Sequence, residues 1–181
     1  MESTLKFWNL VHYKIYVWQT SFHLLFNYLN PFVWLVKLPI VKKYFKKHGI
    51  VDFKKHMDNR IFNNKKSGIN ITISGIHMGG QLIILEFTIL NLIQYISNKR
   101  IFSDMLSSSS YTIVFIVLIT AIPGIINYFT LFKRKMYLIY FREFENNKVK
   151  YSLRYNLLAS GFILVNIGLL IVSFVLLRRN F

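Results

Sequence analysis

The stretch INITISGIHMGGQLIILEFTILNLIQYI, Ile69–Ile96, decides the fold. It is long enough to cross a bilayer, because ~20 helical residues at ~1.5 Å rise cover ~30 Å of hydrocarbon. Its one formally charged side chain is Glu86. A carboxylate at bilayer depth costs several kcal/mol unless it is paired, protonated or wetted. Glu86 is therefore expected to be sheltered by another helix, another subunit or an aqueous path.

Two further apolar runs of spanning length follow, Tyr111–Phe132 and Leu157–Leu177. The fold class is all-α: an integral membrane bundle of three transmembrane helices with amphipathic or interfacial helices before it. The segment Ile15–Val36 carries no formal charge but is rich in polar and aromatic side chains, with Trp18, Tyr28 and Trp34 among them. Trp and Tyr favour the headgroup level. This segment reads either as an interfacial helix, broken at Asn30–Pro31, or as a fourth, more polar span. The chain divides into an aromatic and basic membrane-associated region, 1–66, and a transmembrane domain, 67–181, with a loop at 133–154.

Charge sets the topology. The 181 residues carry 23 basic and seven acidic side chains, a formal net charge of +16. The basic residues flank apolar blocks, which favours the positive-inside rule and anionic phospholipid over nucleic acid as their counterpart. Lys42, Lys43, Lys46, Lys47, Lys54 and Lys55 are the expected lipid contacts, on a short amphipathic helix. Basic content is high in 37–66 and 133–154 and low in 98–110, so the first two are expected in the cytoplasm. Arg178 and Arg179 fit that topology poorly. The Ile-, Asn- and Lys-rich composition points to a bacterial cytoplasmic membrane. The start, Met1–Trp8, has no signal-peptide pattern.

On a helix of 100° per residue, Gly75, Gly79 and Glu86 share one face. Gly75–Gly79 is a GxxxG element, a place where backbones approach closely. Together with Gly161 and Gly168, seven apart in the third span, these are the expected helix-packing or oligomer face. A second stripe, Asn70, Ser74, His77, Gln81, Thr88 and Asn91, lies roughly opposite. Six polar groups on one side of a spanning helix do not all face lipid. They read as polar glue between helices, or as the lining of a wet lumen or ligand pocket. Pro123–Gly124 in the second span reads as a hinge.

No nucleotide-binding, zinc-protease or serine-hydrolase motif is present. With no cysteine, thiolate chemistry is excluded. No catalytic residue, metal or cofactor is expected. The sequence thus points to a non-enzymatic membrane subunit of a homo-oligomer, as a pore or a membrane-perturbing effector in bacterial defence. The alternative is a membrane-embedded binding or immunity protein that docks a larger protein complex.

Overall fold

In the computed structural model, residues 2–29 and 31–180 are described, apart from the side chains of residues 27–29, 32 and 33. The α-helices are α1 (Glu2–Leu29), α2 (Pro31–Leu35), α3 (Pro39–Lys47), α4 (Phe53–His56), α5 (Ile69–Ser97), α6 (Ile101–Leu106), α7 (Ser109–Asn127), α8 (Met136–Asn146) and α9 (Leu153–Asn180). Among the described residues there is no strand. Among the described residues three helices are long and apolar enough to cross a membrane: α5, α7 with its continuation, and α9. They form the expected all-α membrane bundle, and α1 is not among them.

The connections fix the directions. Gln81 pairs with Asn166 and Asn91 with Ser173, so α5 and α9 run parallel. Asn127 meets Gly75 while Phe115 meets Phe87, so α7 runs antiparallel to α5. One end of the bundle therefore gathers the start of α5, the end of α7 and the start of α9. Of the 23 basic residues, Lys99, Arg100, Arg178 and Arg179 belong to the far end. The others belong to segments entering or leaving the first end, hereafter the basic end.

Helix α1 crosses this basic end and is central to it. Every residue from Asn9 to Tyr16 is buried, so that stretch is enclosed on all sides. On one side Tyr13 and Tyr16 pack with Tyr137, Phe141 and Phe144 of α8 and Ile71 of α5. On another, Val11 and Ile15 pack with Met78 of α5, Leu131 and Ala159 of α9. The sequence divides at residue 66, but the two parts share these apolar clusters. The aromatic residues of the N-terminal region fill a protein core as well as suiting a headgroup layer. The expected break falls partly on Asn30, which lies outside the described residues; α1 runs to Leu29 and α2 begins at Pro31.

The loop at 133–154 begins with a sharp change of backbone direction. A π-helical turn, Tyr128–Phe132, ends that span, and Arg134 and Lys135 then adopt positive φ of 54° and 55°. Left-handed backbone costs ~1 kcal/mol or more per non-glycine residue, so the packing that follows must offset it. That packing is α8, whose Tyr137, Phe141 and Phe144 recur at helical spacing and fold back onto α1. Helix α7 runs through Pro123 without ending there.

The basic segment behaves as the amphipathic reading expects. Helix α3 begins with Pro39 at its first position, buries no residue, and exposes Lys42, Lys43, Lys46 and Lys47 beside Ile40 and Tyr44. Lys54 and Lys55 are exposed on α4.

Candidate functional site

The polar stripe of α5 is consumed inside the chain. Asn70 donates to Asn63 Oδ1 at 3.0 Å and to Thr20 Oγ1 at 3.4 Å. Ser74 Oγ lies 3.0 Å from His12 Nε2. Gln81 accepts from Asn166 Nδ2 at 3.0 Å, and Asn91 donates to Ser173 Oγ at 3.0 Å. Thr88 donates to the Ile84 carbonyl one turn back. His77 is exposed and lies 3.0 Å from Gln19 Nε2. Apart from Thr88, these residues join α5 to α1 and α9 within one protomer. Such interhelical bonds average ~0.6 kcal/mol in membranes, up to ~1.7. They orient helices more than they hold them together.

The glycines separate into two groups. A Cβ on Gly75 would meet the Phe132 ring at 2.7 Å, and one on Gly79 would meet Asn127 Nδ2 at 3.3 Å. Asn127 also donates to the Gly75 carbonyl at 3.3 Å. Within the protomer the GxxxG element is therefore covered by the chain's own second span, a helix-packing contact. Helical periodicity identifies a face but not which helix covers it. Gly161 and Gly168 differ, since a Cβ on either would meet nothing within 4 Å. The buried positions of α9 are Ala159, Asn166 and Ser173. Gly161 and Gly168 each follow one of these by two residues, roughly 200° around the helix. They face away from α5. Pro123 is buried while Gly124 backs onto open space.

Glu86 stands apart from the stripe. Both carboxyl oxygens are occluded, and neither has a hydrogen-bond partner among the described residues. The acid is sheltered, as its position in an apolar helix demands, but its shelter is not a polar one. Among the described residues no three His, Asp or Glu side chains converge as a metal site would require.

Sequence reasoning missed the polar interior of α1. Lys14 is fully buried; its Nζ donates to the Val149 carbonyl at 2.6 Å and the Lys150 carbonyl at 3.2 Å. Burial pushes its ammonium below the ordinary lysine range. His12 is fully buried among Phe132, Tyr137 and Phe141. Burial lowers its pKa to about 3, so it is neutral at physiological pH. Ser74 gives its one hydroxyl proton to the Ile71 carbonyl at 2.9 Å, so His12 donates to Ser74 through Nε2–H. The signal available in sequence was a lone lysine inside an aromatic run with no acid nearby, which is equally the signature of a residue at the headgroup level.

No family model matches the chain. No curated protein matches its sequence. No solved structure matches its fold.

Proposed function

We propose that this chain is a non-enzymatic, multi-pass membrane subunit that self-associates within the bilayer through the outward face of α9. The observation that carries the reading is the open space beside Gly161 and Gly168 on the side of α9 turned away from α5. Hydrocarbon supplies no hydrophobic drive for helix association, so close backbone approach at small residues is what joins spans. Exposed Leu164, Val165, Val172 and Val175 flank the glycines and supply the surface such a contact buries. The basic end faces the cytoplasm of a bacterial inner membrane, with α3 and α4 laid on anionic lipid.

The test is the oligomeric state in mild detergent, measured by light scattering. The wild type runs as a defined oligomer, and Gly161→Leu/Gly168→Leu runs as a monomer with unchanged helicity. A monomeric wild type, or an oligomer indifferent to both substitutions, overturns the reading.

Glu86 favours a second reading, an ion-conducting assembly. Intramembrane acids mark ion and proton paths. Because the polar stripe is bonded within the protomer, the path would run between protomers near Glu86. Proteoliposomes that pass ions, and lose that conductance in Glu86→Gln, support it; the absence of wild-type flux removes it.

A further inference from the structure

Helices α5 and α7 touch at Gly75 and Gly79 and leave a groove of about 480 Å³ beside that contact. That volume falls within the ~300–1,000 Å³ typical of small-molecule sites. Lys66 lies at one end; along its length run Gly80 and Ile83 of α5 and Pro123 and Gly124 of α7. From Ile69 to Ile83 an α-helix rises ~21 Å. Half the hydrocarbon thickness is ~15 Å, so the groove runs the depth of one leaflet, starting at the basic end.

The space exists because of glycine. A Cβ on Gly80 or Gly124 would meet no atom within 4 Å, so neither glycine is required for the fit of α5 against α7. A groove on the lipid side of two spans does not stay empty in a bilayer. At its mouth stand Lys66 and, next along the chain, Lys65. Lys65 is held by Glu145 at 2.6 Å, whereas Lys66 is exposed and has no carboxylate partner among the described residues. Tyr137 anchors this corner by donating to the Lys65 carbonyl at 3.0 Å. A cation thus stands at headgroup level over an apolar slot one acyl chain deep.

We propose that this groove is a binding site for one anionic phospholipid, its phosphate at Lys66 and one acyl chain between α5 and α7. The site is separate from the α9 face and from the diffuse surface charge of α3. It selects by position as well as by charge, since the slot orders a chain that a surface lysine does not.

The experiment reconstitutes the full chain in vesicles of phosphatidylcholine mixed with phosphatidylglycerol, then extracts it and counts retained lipids by native mass spectrometry. Wild type retains phosphatidylglycerol in preference to phosphatidylcholine. Gly80→Phe and Gly124→Leu, which fill the slot, lose the retained lipid of both kinds. Lys66→Gln keeps a lipid but loses roughly fivefold in preference, the factor matching ~1 kcal/mol per lysine near an anionic surface. Arg178→Gln/Arg179→Gln, exposed at the far end of the bundle, leaves the preference unchanged. Equal loss in that surface pair, or retention unaffected by either filling variant, overturns the proposal. Circular dichroism confirms that each variant folds.

Discussion

Lys14 Nζ lies 2.6 Å from the carbonyl oxygen of Val149, a bond that spans 135 residues and ties the first helix to the turn before the last. The Val149 carbonyl also accepts from the Ser152 N–H at 3.1 Å, so the lysine is a second donor to a buried turn residue that Lys148 precedes with a positive φ of 53°. An ammonium with three donors meets two carbonyls from one point, and no carboxylate takes part.

Replacing Lys14 with Met keeps length and apolar stem but removes both bonds, leaving the Val149 carbonyl with the Ser152 N–H as its donor and the carbonyl of exposed Lys150 without the lysine. A hydrogen bond from a charged donor contributes ~1.5–3 kcal/mol, partly offset by no longer burying a charge. A net loss of about 2 kcal/mol is expected, read as a lower midpoint of thermal unfolding in detergent. A variant as stable as wild type would show that the bond only replaces equivalent hydration.

His12 predicts an acid limit. It is neutral when folded, with a pKa near 3, and takes up a proton in the unfolded chain below its ordinary 6.5. The unfolded state therefore binds more protons between those values. Its contribution is complete above pH 6.5 and is lost as pH falls toward 3, with a slope approaching ~1.4 kcal/mol per unit. Stability measured from pH 7.5 to 4.5 should show this slope, and His12→Gln should flatten it. An identical pH profile in that variant would assign the acid sensitivity elsewhere.

How much of this was legible depends on whether the information is local. Ile69–Ile96 was readable because hydrocarbon demands a continuous apolar run, and α5 begins at Ile69. The third span was shorter in sequence than α9, since Arg154 and Arg178 stay helical beyond the apolar core that hydropathy detects. The stripe from Asn70 to Asn91 was visible as a periodicity, but its partners Asn166 and Ser173 lie more than 80 residues away. For α1, local composition does not separate two environments: His12 and Lys14 suit a headgroup layer as well as the interior formed by Phe132, Tyr137 and Phe141 and the Val149 turn. The turn at Arg134 and Lys135 was hidden for the same reason, because only the packing of Phe141 on Tyr13 justifies its backbone cost.

The glycines give a paired comparison. Gly75→Ala drives a methyl to within 2.7 Å of the Phe132 ring, and overpacking of this kind costs ~1–3 kcal/mol. Gly161→Ala meets nothing within 4 Å and gains helix propensity, up to ~1 kcal/mol. In the monomeric state the first should lower the unfolding midpoint and the second should leave it equal or higher. Were both to behave alike, the division of the glycines into inward and outward sets would fail.

Glu86 sets stability against use. Its two oxygens are occluded and unpartnered, so within the protomer the carboxyl is a cost of ~1–3 kcal/mol. Glu86→Leu fills similar space without that cost, and in a monomeric background carrying Gly161→Leu/Gly168→Leu it should stabilise the bundle by about that amount. In the assembled wild-type background the sign discriminates. A gain there too means the acid has no partner in the oligomer and is retained for transport or another activity. A loss there, against a gain in the monomer, means a neighbouring protomer supplies the missing partner. Chemical unfolding of the two backgrounds in parallel measures both signs, and a loss in the monomer itself would mean that a single chain already satisfies the carboxyl.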